Sequence, residues 1–412
     1  RLESLADGFL MHDRPIYMRI DDSVVTILRE KPYIVRRARG FAPQQLRLPW
    51  DAVPLLATGT ELKNTFCLTR ERYAFVSHYI GDLENQETLS SFEQAIRHYE
   101  RVFRIQPEAL ACDLHPDYLA TRYAQARSQE DSLPLVAVQH HHAHIASCLA
   151  ENGWTSREPV IGLAYDGTGY GTDGSIWGGE ILIAGYKEFT RRFHLAPLPL
   201  PGGDLAVRKP ARMALSYLLA AGIDLEDQTL APVAYLTLAE AQAVRHQVHT
   251  GFNAPPTSSI GRLFDAVAAL IGLCEEISYE AQAAMMLESA SDPLESGFYE
   301  MPLEKDIIDP LPMIRAIVAD LKASVSMGSI AARFHNSLVR MSLEVCRQIR
   351  QETGLRTVVI SGGVWQNMRL MNLTLPALEA EGFTALIHTQ LPPNDGCVSL
   401  GQAVVALARL QG

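Results

Sequence analysis

The chain has 412 residues, 47% of them hydrophobic, and a formal net charge of −11. That much apolar residue supports two or three domains with full cores. So acidic a balance excludes nucleic acid as a favoured ligand, because nothing tracks a phosphate backbone. No apolar run approaches the ~20 residues of a membrane span, and no signal peptide is visible. The six cysteines form no C-x-x-C pair and no disulfide ladder, which fits a reducing, cytoplasmic setting. The chain starts at Arg1 without Met, which reads as a fragment or one module of something longer.

In chain order, residues 14–25 predict a strand and a turn. Residues 36–43 form a basic loop, either a solvated linker or a phosphate-facing tail of a preceding domain. From residue 53 the pattern changes. Strands are predicted at 53–58, 64–70 and 73–79, then a helix at 88–103, a strand at 109–113, a helix at 118–127 and a strand at 133–138. A helix follows over 143–151. The order then repeats: strands at 160–165, 181–186 and 189–195, a helical insertion over about 207–325, a helix at 330–350 and a strand at 357–361. A helix from 366, a strand at 384–388 and a last helix from about 395 complete it. Two copies of a strand-rich unit followed by alternating helices and strands predict two similar α/β lobes around a nucleotide cleft. The expected division is a tail over 1–50, a first lobe over 53–158 and a second over 159–412, with the last helix free to return to the first lobe.

The stretch Gln139-His140-His141-His142-Ala143-His144 organises the chain. His140 and His144 are four apart, so one helical turn puts both imidazoles on one face, which is metal-ligand spacing. A solvated or capping cluster is the plainer account. After the apolar strand at 160–165 comes Asp166-Gly167-Thr168-Gly169-Tyr170-Gly171. Its glycines let backbone N–H groups approach a phosphate, and Asp166 can hold a cation; a tight hairpin is the alternative. Ser361-Gly362-Gly363-Val364-Trp365-Gln366-Asn367 joins a strand to a helix N-terminus, where an anion is favoured, or is an ordinary turn. Asp395, before the last helix, is a metal ligand or a simple N-cap. Asp265, near the start of an apolar helix with Gly261, suits a ribose hydroxyl or an ion pair with Arg262. Lys63, Lys209 and Arg212 are candidate anion contacts, each with a surface charge as the ordinary reading. Two imidazoles and two carboxylates suit zinc or iron, and the set does not choose between them.

These motifs occur together and in order. With Gly59-Thr-Glu-Leu-Lys-Asn-Thr-Phe-Cys67 and Gly81-Asp-Leu-Glu-Asn85 they closely resemble the HypF family of hydrogenase maturation carbamoyltransferases. The resemblance covers essentially the whole chain. It implies a duplicated actin-like, Hsp70-like ATPase fold of the RNase H-like kind, similar to the tRNA threonylcarbamoyl transferase TsaD. Residues 1–50 resemble the tail of a YrdC-like domain. The resemblance implies a metal, zinc or iron, on His140, His144 and Asp395, with Asp166 beside it and the nucleotide phosphate. It implies nucleotide contacts at Gly167, Thr168, Gly169, Tyr170, Asp265, Gly362, Gly363 and Asn367; Gly261 and Lys63 join them as candidate cofactor contacts read from the residues, and magnesium is expected with ATP.

The implied reaction passes a carbamoyl group from carbamoyl-adenylate, made from carbamoyl phosphate and ATP, to the C-terminal cysteine of the partner HypE. The attacking thiolate then comes from the partner, in keeping with the lack of any Cys–His constellation in the sequence. Most of the YrdC-like domain and the acylphosphatase-like and zinc-finger segments of the family are missing, so adenylate formation is not expected of these residues alone, whereas transfer is. A homodimer is left open. Two other readings stay open: carbamoylation of a small-molecule hydroxyl, and a nucleotide-gated binding module without catalysis. The histidine pair speaks against the last, and the acidity of the chain against a tRNA-modifying role.

Overall fold

The computed structural model describes residues 3–411. Two sheets make the frame. In the first, Cys67–Val76 pairs antiparallel with Leu46–Ala57, and Ala109–Asp113 and Leu135–Val138 add in parallel. In the second, Phe189–Leu195, Gly179–Ala184 and Val160–Tyr165 form an antiparallel run, and Thr357–Ser361 and Thr384–Leu386 add in parallel. The two-residue strands Leu303–Glu304 and Ile307–Ile308 extend its outer edge. Antiparallel strands followed by two parallel ones is the unit, and it occurs twice. The α/β unit is thus duplicated, as the repeated order of elements predicts.

The parallel strands explain where a site can form. Parallel pairing requires crossover helices, so the connections leave from the carboxyl ends of the strands and leave a crevice there. Asp113 ends one such strand, Asp166 follows another, Ser361 ends a third, and His140 follows a fourth.

Between the sheets runs the helix His140–Glu151, every residue of which is buried. Gln139 caps it, its side chain accepting from His142 N–H at 2.9 Å. Ala143, Ala146 and Ala150 pack with the first sheet and with the C-terminal helix Val398–Leu410. Ile145, Cys148 and Leu149 pack on the opposite side against Val160, Leu182 and Val359 of the second sheet. Burying Ile145 and Leu149 contributes about 1.5–3 kcal/mol each. Gly401 lets the C-terminal helix approach the histidine helix backbone to backbone, because a Cβ there would overlap the Ala143 carbonyl.

Four expectations need correction. Residues 14–23 form no strand; the hairpin is Val24–Leu28 with Lys31–Arg36. Residues 64–70 and 73–79 are not two strands. Cys67–Val76 is continuous, and Glu71 takes a left-handed conformation at a register shift opposite Ala52, so a bulge stands where a turn was expected. The basic loop is not a simple solvated linker: Arg39 is exposed and Arg36 lines a pocket with Lys63, but Arg37 turns inward. Arg37 is 4% exposed and donates to the carbonyls of Val76, Ser77, Phe41 and Gln44. Residues around it strap both halves of the fold: Leu28 and Tyr33 join the core of the second sheet, and Leu46 and Leu48 that of the first. Finally, the helix after Ser361 begins as a 3-10 turn, Gly363–Gln366, and the α-helix proper is Met368–Ala380.

Candidate metal and nucleotide site

His140 and His144 project from the first turns of the histidine helix toward two carboxylates from the other half of the fold. His144 Nε2 lies 2.9 Å from Asp166 Oδ2 and 3.7 Å from Asp395 Oδ1, and His140 Nε2 lies 3.6 and 3.7 Å from the same two atoms. One ligand atom from each of the four residues falls within 4.8 Å of the others. His140 Nε2, His144 Nε2 and Asp166 Oδ2 are buried and make no hydrogen bond of proper geometry. The 2.9 Å approach is therefore a charge contact aimed at a shared point. Buried polar atoms left in this way are costly, and a divalent cation at that point would satisfy all of them. Two nitrogens and two oxygens fit zinc or iron.

Charge at the site follows the geometry. Burial alone would make both imidazoles neutral. At His140 the carboxylates of Asp395, Asp113 and Asp166 outweigh it, and at His144 Cys397 and the same Asp166 and Asp395 do, so both rings are held well above the ordinary histidine value. Burial likewise opposes ionisation of Asp166 and Asp395, yet the two imidazoles hold both carboxyls well below the usual range. A cation entering the cluster takes the place of those imidazole protons.

The ligands are braced. His140 Nδ1 contacts Asp113 Oδ2 at 3.0 Å, and Thr60 Oγ1 donates to Asp395 Oδ2 at 3.3 Å. His144 Nδ1 faces Ser361 Oγ at 3.1 Å and Cys397 Sγ at 3.3 Å. Asp113, Thr60, Ser361 as a brace, His388 and Cys397 were not singled out from sequence. The signal that was available is an Asp closing an otherwise apolar strand at 113. The expectation that no Cys–His constellation exists is wrong: Cys397 meets His144 in space, 253 positions apart. Burial raises the Cys397 thiol, but His388 and His144 outweigh it and bring it down to about 6.

His141 and His142 share the run but not the site. His142 Nε2 bonds the Gly185 carbonyl at 2.7 Å, and His141 Nδ1 lies 3.2 Å from the Gln139 amide. Burial lowers both, His142 to about 4.

Two domain models match the chain: "HypF Kae1-like domain" over residues 51–151, and "Carbamoyltransferase, Kae1-like Domain, second subdomain" over residues 162–402. The chain belongs to the HypF carbamoyltransferase family. It is 39% identical to carbamoyltransferase HypF of Synechocystis sp., over 100% of this chain and 54% of that protein. It is 37% identical to a HypF homolog of Cupriavidus necator, over 86% of this chain and 92% of that protein. A crystal structure of full-length HypF in the phosphate- and nucleotide-bound form superposes with a TM-score of 0.93 at 42% identity, covering 100% of this chain and 64% of that one. HypF of T. kodakarensis superposes at 0.90 with 32% identity, covering 54% of its own chain. The chain thus spans about half the length of the first of these HypF relatives.

Of the residues considered for nucleotide contacts in this HypF-family chain, several converge on Asp166. The loop from Asp166 to Gly178 is a tight hairpin, with Trp177 N–H donating to the Gly169 carbonyl and Gln139 to that of Tyr170. Thr168 sits on this loop. Gly261 N–H donates to the Asp166 carbonyl, and Ser259 Oγ to the carbonyls of Asp166 and Gly167, so the helix Ile260–Leu270 starts against the loop. Gly362, at φ 111°, turns the chain where a Cβ would overlap the Tyr165 carbonyl, and its N–H donates to Pro393. A Cβ at Gly363 would press on Asp166 Oδ1, which accepts from Gly167 N–H at 2.7 Å.

Other candidates are engaged within the protein. Asp265 pairs with Arg262 at 2.8 Å. Asn367 caps Leu370 N–H and meets His335 Nε2 at 3.0 Å. Lys63 lines a pocket with Tyr79, Gln366, Asn394 and Gly396, and pairs with Glu280. Lys209 pairs with Glu240, and Arg212 donates to the Pro201 carbonyl and Gln247.

Proposed function

We propose that this chain performs the transfer half of the HypF reaction: it passes the carbamoyl group of carbamoyl-adenylate, formed from carbamoyl phosphate and ATP, to the C-terminal cysteine thiol of HypE. The observation that supports this most is the His140–His144–Asp166–Asp395 cluster lying beside a glycine hairpin and a glycine turn in a HypF-family chain. A divalent ion held by those four side chains would supply Lewis-acid polarisation of the anhydride.

The chain's own groups do the rest. The N–H groups of Thr168–Tyr170 and of Gly363 orient the phosphate and stabilise the AMP leaving group, on a frame fixed by the bonds of Gly167, Gly261 and Gly362 N–H to Asp166 Oδ1, the Asp166 carbonyl and the Pro393 carbonyl. Asp265 and Asn367 are the candidate nucleoside contacts, each exchanging its present partner, Arg262 or His335, for the nucleoside. Lys63 supplies a positive charge, with magnesium accompanying ATP when adenylate is made elsewhere in the protein. The nucleophile is the partner's thiolate: all six cysteines of this chain are buried and unpaired, so none is an accessible acceptor. Free thiols also suit a cytoplasmic setting. Among the described residues, no helix is long and apolar enough to cross a membrane.

The test mixes the chain with carbamoyl-adenylate and a peptide ending in the HypE C-terminal cysteine. A mass gain of one carbamoyl on that cysteine is expected. A gain on a sugar hydroxyl instead, or nucleotide-dependent peptide release with no covalent change, overturns the reading.

A further inference from the structure

Behind His144, on the Nδ1 side of its ring, lies a second set of buried polar groups that the proposed transfer reaction does not use. Ser361 Oγ, 3.1 Å from His144 Nδ1, is 2.8 Å from His388 Nε2. His388 Nδ1 in turn is 3.1 Å from Glu151 Oε2. Cys397 Sγ lies 3.3 Å from His144 Nδ1 and 3.9 Å from Ser361 Oγ. Ser361, His388 and Cys397 are at most 1% exposed, and the Glu151 carboxylate is fully enclosed. Glu151 is held from the other side by the backbone N–H groups of Thr389, Gln390 at 3.3 Å and Leu391 at 3.2 Å.

The chain of contacts has a direction. The Glu151 carboxylate accepts only, so it turns His388 with Nδ1–H toward itself. Ser361 and Cys397 then present an oxygen and a sulfur to His144 Nδ1. Facing an oxygen and a sulfur, that nitrogen is placed to keep its proton when a cation displaces the one on Nε2, whose lone pair then points toward Asp166 and Asp395. Metal-ligating histidines need this arrangement, and it is commonly set by a carboxylate behind the ring. His140 has such a carboxylate directly, in Asp113. His144 has none within reach on that side, and Glu151 stands two groups away.

We propose that Glu151, His388 and Ser361, with Cys397, form a relay that positions His144 for metal binding, doing for the second imidazole what Asp113 does for the first. Glu151 and His144 lie on one helix, whereas Ser361 and His388 come from the second sheet and the segment after it. The relay therefore makes the orientation of a ligand depend on how the helix is seated against that sheet. The proposal rests on the metal-centre reading above.

The experiment uses the full chain, stripped with a chelator and titrated with zinc against a chromophoric competitor. Long-range nitrogen–proton spectra of 15N-histidine-labelled protein report which nitrogen of His144 carries the proton. Ser361→Ala and His388→Gln are each expected to weaken zinc binding by about 10–100-fold and to shift the His144 signals away from the Nδ1–H form. Ser361→Thr, which keeps the hydroxyl, is expected to restore both. The double variant is expected to be no weaker than the worse single one, since both break one chain. Glu151→Gln should act alike; if it fails to fold because of its three backbone contacts, the other variants decide. Folded Ser361→Ala and His388→Gln with wild-type zinc affinity and an unchanged His144 form overturn the relay alone. If the wild-type chain itself takes up neither zinc nor iron, the metal-centre reading falls first.

Discussion

His140 and His144 differ from His141 and His142 in nothing that the residue type records. All four are buried, within five consecutive positions, on one helix. Two face carboxylates and are held well above the ordinary imidazole value; two face a carbonyl and an amide and are pushed below it by burial. The lesson is that burial sets the same cost for each ring, and the partner across the helix face decides whether a charge, or an ion in its place, is tolerated.

The sharpest way to break this contrast is His144→Ala. It removes a candidate ligand atom outright, so zinc affinity read by competition titration is expected to fall by more than ~100-fold, since loss of an outer partner alone costs about 10–100-fold. The same variant should lose the proposed carbamoyl transfer while remaining folded. Retention of wild-type affinity would mean that the two halves of the run are not different in kind. Next in size is Asp113→Asn, which leaves all four ligands but weakens the brace on His140. Metal affinity is expected to drop about 10–100-fold, read by competition titration.

His142→Phe tests the other half. It leaves the Gly185 carbonyl without its partner. A loss of about 2 kcal/mol in denaturant unfolding is expected, with metal content unchanged; a change in metal content would extend the site to His142.

The smallest effect concerns a neutral histidine outside the run. His335, held near 4 by burial against an ordinary value of 6.5, binds fewer protons folded than unfolded between those values. Stability is therefore expected to fall as pH drops through 6.5 toward 4, by about 1.4 kcal/mol at pH 5.5. His335→Gln should flatten that part of the melting-temperature profile. An unaltered profile would mean that its neutrality costs nothing.

Much of the site was legible as spacing and motif. The i, i+4 histidine pair, the Asp at the end of an apolar strand before a glycine loop, and the Asp before the last helix are local patterns, and local patterns survive in one dimension. The strand at 64–79 was misread because a left-handed residue at Glu71 looks the same as a turn until the partner strand is present to bridge it. Arg37 was misread because a basic loop gives no sign of which carbonyls wait for it elsewhere.

What residue order determined by itself was the repeated α/β unit and the chemical type of the four candidate ligands, because periodicity and side-chain type need no neighbours. Tertiary structure alone decided that Asp113, Ser361, His388, Glu151 and Cys397 stand behind those ligands. Their contacts, Glu151 to His388 and Cys397 to His144 among them, join residues 237 and 253 positions apart. Contacts at that range exist only once the strand ends and the central helix have been brought together by burial of the two cores.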